Sequence, residues 1–136
     1  MKTPTQPRSA RKAFTLLEMT VVIMVLLALI KTGLHVSNKM DEWKLGREAA
    51  ETLRSVYSAQ RMYLADNPTV AVSAITSTVI IPYLPNNAVA MPTVKSLVNT
   101  NLSILVNVSP PVINAGSGVT YDPSGSNQDS LWDVGE

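Results

Sequence analysis

Residues Phe14 to Ile30 read FTLLEMTVVIMVLLALI, and Glu18 is the only charged residue among these 17. Seventeen helical residues cover about 25 Å, slightly less than the hydrocarbon core of a bilayer. A helix that continues through four more residues, with the Lys31 side chain reaching back towards water, has the required length. The stretch therefore predicts a transmembrane helix over residues 14–34. It also raises a question, because a carboxylate inside an apolar membrane helix is costly and usually has a partner.

The basic residues cluster before the apolar stretch. Residues 1–13 contain no acid and four basic residues, namely Lys2, Arg8, Arg11 and Lys12. The remaining 123 residues contain seven of the eleven basic residues and all ten acidic ones, a net charge of −3. Because basic flanks stay on the cytoplasmic side of a membrane helix, we expect residues 1–13 to form a cytoplasmic basic leader. Everything after Ile30 is then expected to lie outside the cytoplasm.

Composition excludes several classes of function. The chain has no cysteine and one histidine, so disulfides, zinc–thiolate sites and most histidine-dependent catalysis are ruled out. No Ser/His/Asp set, phosphate-binding loop or dinucleotide motif is present, and we expect a protein that is not an enzyme. After Lys95 the chain contains acids but no base, which argues against nucleic-acid binding.

The segment that follows the apolar stretch is amphipathic. Over residues 35–67, apolar or uncharged side chains recur at three- and four-residue steps, which predicts a helix with one buried face; they include Ala49, Ala50, Leu53, Val56, Tyr57, Gln60, Tyr63 and Leu64. Pairs at four-residue spacing, Lys44–Glu48 and Arg47–Glu51, suit the solvated face. Asn67-Pro68 ends the pattern. We expect one continuous helix over residues 14–66, about 80 Å long.

Residues 68–136 differ in composition from the preceding helix: they are rich in β-branched residues and contain several prolines. Leu102–Val108 alternates apolar and polar residues and predicts a strand. Val119–Tyr121 and Leu131–Val134 are candidates for further short strands, and Ser73–Ile81 fits either a helix or a strand. We expect an α+β fold in which a small antiparallel sheet packs on the apolar face of the long helix. Trp132 is expected to anchor the C-terminal segment on this domain.

The residues around Glu18 carry a family resemblance. Basic residues, a small residue, then Phe-Thr-Leu-Leu-Glu and an unbroken apolar run resemble the class III signal of type IV pilins and type II secretion pseudopilins. A secretory signal, in contrast, is cut after its apolar run. The resemblance implies that a prepilin peptidase cuts between Ala13 and Phe14 and that Phe14 is then N-methylated. Glu18 would become the fifth residue of the mature chain, the position at which the family has an acid. Ala13 stands where the family usually has glycine.

The resemblance also implies a function and a location. The subunit is held in the inner membrane, with its C-terminal domain periplasmic or extracellular, until an assembly platform inserts it into a filament. In the filament, Glu18 meets the amino terminus of a neighbouring subunit, and the pairing of a buried charge sets the stagger between helices. The small size favours a pseudopilin over an adhesive pilin. Two rival interpretations stay open: an uncleaved single-pass anchor that carries a binding module, and a minor pilin with an adhesive role.

The acidic C-terminal residues raise the question of a cofactor. Asp122, Asp129 and Asp133 stand among serine, asparagine and glycine residues, and their oxygens could bind calcium. Major pseudopilins bind calcium in a C-terminal loop, so the resemblance adds weight to this candidate. The spacing matches no EF-hand loop, however, and Asp-Pro-Ser-Gly is favourable turn chemistry. We therefore expect a solvated turn, with calcium as the alternative.

Overall fold

A computed structural model of the chain describes residues 15–126, 128 and 131–134. The basic leader predicted at residues 1–13 lies outside the described residues. Besides short 3-10 turns, these residues form two α-helices and three strands: α1 (Leu16–Asp66), α2 (Ser77–Ile80), β1 (Val94–Lys95), β2 (Asn101–Leu105) and β3 (Val112–Asn114). The α+β class is confirmed, with one long N-terminal helix and a small antiparallel sheet. The backbone divides into two compact units, one up to Asn38 and one from Lys39 onwards.

The first unit consists of the N-terminal part of α1. Every side chain described from Thr15 to Asn38 is exposed, including the whole apolar stretch. The hydroxyl groups of Thr20 and Thr32 donate to the carbonyls of Leu17 and Ala28, at 2.8 Å and 2.9 Å. These bonds satisfy the two hydroxyls within the helix itself, which is what a helix in lipid requires.

The second unit has one hydrophobic core, built on the amphipathic face of α1. Helix residues recur at three- and four-residue steps and are buried, which confirms the predicted apolar face. They pack against the sheet, against the segment between α1 and β1, and against the C-terminal segment. The buried apolar residues of this core are Ala49, Leu53, Val56, Ala59, Ile75, Ile80, Leu84, Val94, Ile104, Val106, Ile113, Trp132 and Val134.

The sheet has the order β1-β2-β3, and all neighbours are antiparallel. Leu105 of β2 pairs with Val112 of β3, and there the ladder stops. The strand predicted over Leu102–Val108 therefore begins one residue earlier and ends three residues earlier than expected. The physical reason is the pair Pro110–Pro111, which would face the end of β2 and has no N–H to donate.

Two other strand candidates come out differently. Thr120 forms an isolated bridge with Asn114, so Val119–Tyr121 extends the sheet only at this point. Leu131–Val134 forms bends and no strand. Trp132 is nevertheless buried and meets the Tyr121 ring edge to face at 5.3 Å, which confirms its expected anchoring role.

The segment between α1 and β1 is made of short helical turns. Of the two alternatives for Ser73–Ile81, the helical one is correct, because α2 spans Ser77–Ile80 and shorter 3-10 turns flank it. The Tyr83 hydroxyl donates to the Asp66 carboxylate at 2.9 Å, and the Tyr83 ring meets the Tyr63 ring edge to face. These two contacts fasten the segment to the C-terminal end of α1.

Candidate functional site

Glu18 lies in the first turn of α1, which begins at Leu16. Thr15 caps this helix, since its Oγ1 accepts a hydrogen bond from the Glu18 backbone N–H at 3.3 Å. Thr-Leu-Leu-Glu has the spacing of a capping box, in which the acid at the third helical position supports the helix start. The partial positive charge at a helix N-terminus also favours a carboxylate there. Within a single chain, the helix N-terminus therefore stabilises the negative charge of Glu18.

No partner for the Glu18 carboxylate is found among the described residues. The side chain is exposed, and it forms no hydrogen bond or ion pair with any residue of the described range. The apolar residues that follow it are exposed as well, and α1 is long and apolar enough to cross a membrane, by length and composition. The site is therefore a single acid at the leading edge of a helix that could span a bilayer.

The two residues predicted to flank the cleavage point, Ala13 and Phe14, lie outside the described residues. The described chain begins with Thr15, directly after them. Of the three processing and assembly residues predicted from the sequence, the structure therefore places Glu18 alone.

The acidic C-terminal residues do not form a metal site among the described residues. Asp122 Oδ1 accepts hydrogen bonds from the Ser124 hydroxyl at 2.5 Å and from the backbone N–H groups of Ser124 and Gly125, both at 3.2 Å. It therefore organises a turn, as Asp-Pro-Ser-Gly predicts. Asp133 is half-buried beside Trp132, and Asp129 lies outside the described residues. Within the part of the chain that the structure describes, no group of three His, Asp or Glu side chains could hold a metal ion.

Sequence reasoning missed a surface on the solvated face of α1. Arg47, Arg54 and Arg61 are exposed and stand seven residues apart; we call these three residues the arginine stripe. The guanidinium of Arg47 lies 5.5 Å from the centre of the Trp43 ring, and that of Arg61 lies 5.8 Å from the centre of the Tyr57 ring. The seven-residue spacing is the signal in the sequence that could have revealed it.

Ion pairs modify this solvated face. Arg47 pairs with Glu51 at 3.3 Å, as predicted. The predicted pair Lys44–Glu48 is wrong, because Lys44 lies 3.5 Å from Asp41 instead. Both predicted pairs have the base four residues before the acid, so orientation does not distinguish them; the exposed Lys44 has a second acid, Asp41, within reach one turn earlier.

Comparisons of the chain with protein-family models, with curated proteins and with solved structures found no match.

Proposed function

We propose that this chain is a structural subunit of a type IV pilus-like or type II secretion filament, and that it is a pseudopilin rather than an enzyme. The observation that carries the proposal is Glu18, an exposed carboxylate without a partner among the described residues, at the start of an exposed apolar helix. A buried charge is tolerable in an apolar surrounding when a charge of opposite sign meets it. The new amino group of a neighbouring subunit supplies that charge.

The proposed life of the subunit has two stages. In the inner membrane, α1 crosses the bilayer with residues 1–13 in the cytoplasm and the second unit outside it. A prepilin peptidase then cuts between Ala13 and Phe14 and methylates the new amino terminus. An assembly platform transfers the subunit to the filament, where the apolar helices of neighbouring subunits replace lipid. The second unit, with its own core, forms the outer part of the filament.

Intact mass tests the proposal. The full chain is co-expressed with a prepilin peptidase, purified from membranes and weighed by mass spectrometry. We expect the loss of residues 1–13 and one added methyl group on Phe14. Ala13→Gly is expected to be cleaved at least as fast, and Ala13→Asp serves as the uncleaved control. A wild-type mass equal to that of all 136 residues would mean that the chain is not cleaved. That result would contradict the pilin proposal and favour the uncleaved membrane anchor.

A further inference from the structure

Arg61 and Glu48 are exposed charged residues of α1 in the second unit, and neither side chain forms an ion pair within the described residues. Glu48 is without its predicted partner because Lys44 lies beside Asp41 instead. Neighbouring acids of the same helix are paired, namely Asp41, Glu42 and Glu51. The helix therefore presents one base and one acid that are open to groups outside the chain.

An aromatic ring holds the Arg61 guanidinium in place. The guanidinium lies 5.8 Å from the centre of the Tyr57 ring, a contact that occupies none of its five N–H donors with a hydrogen bond. Met62, the next residue in the chain, is 51% exposed. Arginine, aromatic and methionine side chains are enriched at protein interfaces. This part of α1 therefore has the composition of a contact surface.

Helical geometry places Glu48 and Arg61 at different heights and on different sides of α1. Arg61 follows Glu48 by 13 residues, which corresponds to about 20 Å along the axis and about 3.6 turns. The two side chains therefore leave the helix about 140° apart. They are too far apart to pair within one chain, but each can meet a different neighbour at the same time.

We propose that Arg61 of one chain pairs with Glu48 of a second copy of this chain, which runs parallel to the first and is displaced by about 20 Å along α1. The inference rests on the proposed function for the parallel direction, because all subunits of such a filament leave the membrane in the same orientation. Each copy offers its Arg61 side to one neighbour and its Glu48 side to another. The contact is therefore heterologous and repeats into an open filament.

Charge favours a second copy over a polyanion as the partner of Arg61. Without residues 1–13 the chain has a net charge of −3, so nucleic acid or an anionic membrane surface is repelled by the body as a whole. A single carboxylate matches one guanidinium through paired hydrogen bonds. The Glu48 carboxylate of a second copy meets this requirement, and the pairing adds no net charge to the filament.

Cross-linking of the full chain tests the contact, since the chain has no cysteine of its own. Copies with different tags, one with Ala65→Cys and one with Thr52→Cys, are mixed in detergent and treated with a short bismaleimide. Each cysteine stands four residues after one member of the pair, so the offset of 13 residues is kept; Ala65 is exposed and Thr52 is half-buried. We expect a heterodimer. In a bilayer, where the anchors hold all copies level, the yield should fall at least fivefold.

The matched control replaces Thr52→Cys by Lys44→Cys, which is also on α1 and exposed. An antiparallel pairing of Arg61 with Glu48 would bring Ala65 next to Lys44, whereas the parallel pairing keeps them apart. The control is expected to cross-link at least fivefold less in detergent. An equal or higher yield from the control overturns the parallel contact, and a yield that is the same in a bilayer as in detergent overturns the displacement.

Charge reversal makes the test specific to this ion pair. Arg61→Glu on the Ala65→Cys copy is expected to lower the heterodimer yield about three- to fivefold, because exposed ion pairs contribute modestly. Glu48→Arg on the other copy should restore the yield. About 0.5 M salt should lower the yield of the unreversed pair, since salt screens exposed charges. A yield that neither reversal nor salt changes overturns the contact, as does a double reversal that does not restore it.

The two proposals fail in different ways. If Ala13–Phe14 is not cleaved and no filament forms, but the cross-link in detergent still depends on Arg61 and Glu48, the filament function is wrong and the contact between copies stands. If the chain is processed and assembled, but the cross-link does not exceed the control, the contact is overturned and the function stands. Binding of Arg61 to anionic vesicles or DNA, with no cross-link between copies, also overturns it.

Discussion

The side-chain nitrogen of Gln60 donates to the carbonyl of Val106 at 2.8 Å, and to the carbonyl of Val108 at the same distance. Gln60 is fully buried on α1, and the two carbonyls lie just beyond the end of β2. The Gln60 amide thus donates to two backbone carbonyls that follow β2, at the point where the pairing of β2 with β3 has ended. This bond joins the helix to the sheet and fixes the path of the chain after Leu105.

Gln60→Ala is expected to destabilise the protein by about 1–3 kcal/mol, because it removes two hydrogen bonds and leaves the carbonyl of the buried Val106 without a donor, whereas Val108 is exposed to water. Denaturant unfolding of the full chain in detergent, followed by tryptophan fluorescence, measures the change. Ser58→Ala is the matched control, since Ser58 is exposed on the same helix. A loss below about 0.5 kcal/mol for Gln60→Ala would contradict the role given to this amide.

Gly46→Ala is expected to be less stable than Gly33→Ala by about 1–3 kcal/mol, because both gain helix propensity but only the first overpacks a core. A Cβ at Gly46 would lie 3.1 Å from Leu131 Cβ and 3.1 Å from Trp132 Nε1, so these neighbours must give by a few tenths of an ångström. Near-UV circular dichroism of Trp132 and denaturant unfolding report the effect. Gly33→Ala is the control, because nothing lies within 4 Å of its Cβ; equal losses at both positions would refute the packing argument.

The contribution of Tyr83 to the stability of the folded protein depends on pH in the alkaline range. The hydrogen bond to the Asp66 carboxylate, with a smaller effect of burial, raises the pKa of the Tyr83 phenol above its usual value near 10. Because the pKa of Tyr83 is higher in the folded than in the unfolded state, its stabilisation of the fold is complete below pH 10. It is lost as the pH rises through the pKa of the folded state. Ultraviolet titration of phenolate formation checks this. Asp66→Asn should return the pKa towards 10, and an unchanged titration curve would show that Asp66 is not the cause.

Substitutions at Glu18 separate its effect on the helix start from its effect on assembly. Gln at this position keeps the capping-box spacing but carries no charge, so Glu18→Gln should leave the helix intact and lower filament incorporation at least tenfold. Glu18→Asp, which keeps the charge, should retain more incorporation than Glu18→Gln. The measurement is the fraction of subunit recovered in sheared filaments. Full incorporation of Glu18→Gln would mean that the charge has no part in assembly.

Much of the fold follows from local patterns. The apolar face of α1 is predictable because each buried residue follows from helical periodicity alone, and Asn67-Pro68 marks the helix end because proline restricts the residue before it. The end of β2 was less predictable, since it depends on Pro110 and Pro111 in a facing segment. The arginine stripe is present as a spacing in the sequence. The packing of Trp132 against Gly46, in contrast, joins residues far apart in the sequence and could not be predicted from it.

The sequence by itself determines the apolar helix, the isolated charge of Glu18 and the unequal distribution of acids and bases, because these depend on residue order and helical geometry alone. Only the tertiary structure decided that Gln60 replaces a missing strand partner and that Leu131–Val134 packs as bends rather than as a strand. Each of these depends on which distant part of the chain a residue meets: two carbonyls for Gln60, and the helix at Gly46 for Leu131 and Trp132. The bond from Gln60 to Val108 joins residues 48 positions apart, and no local pattern records such a contact.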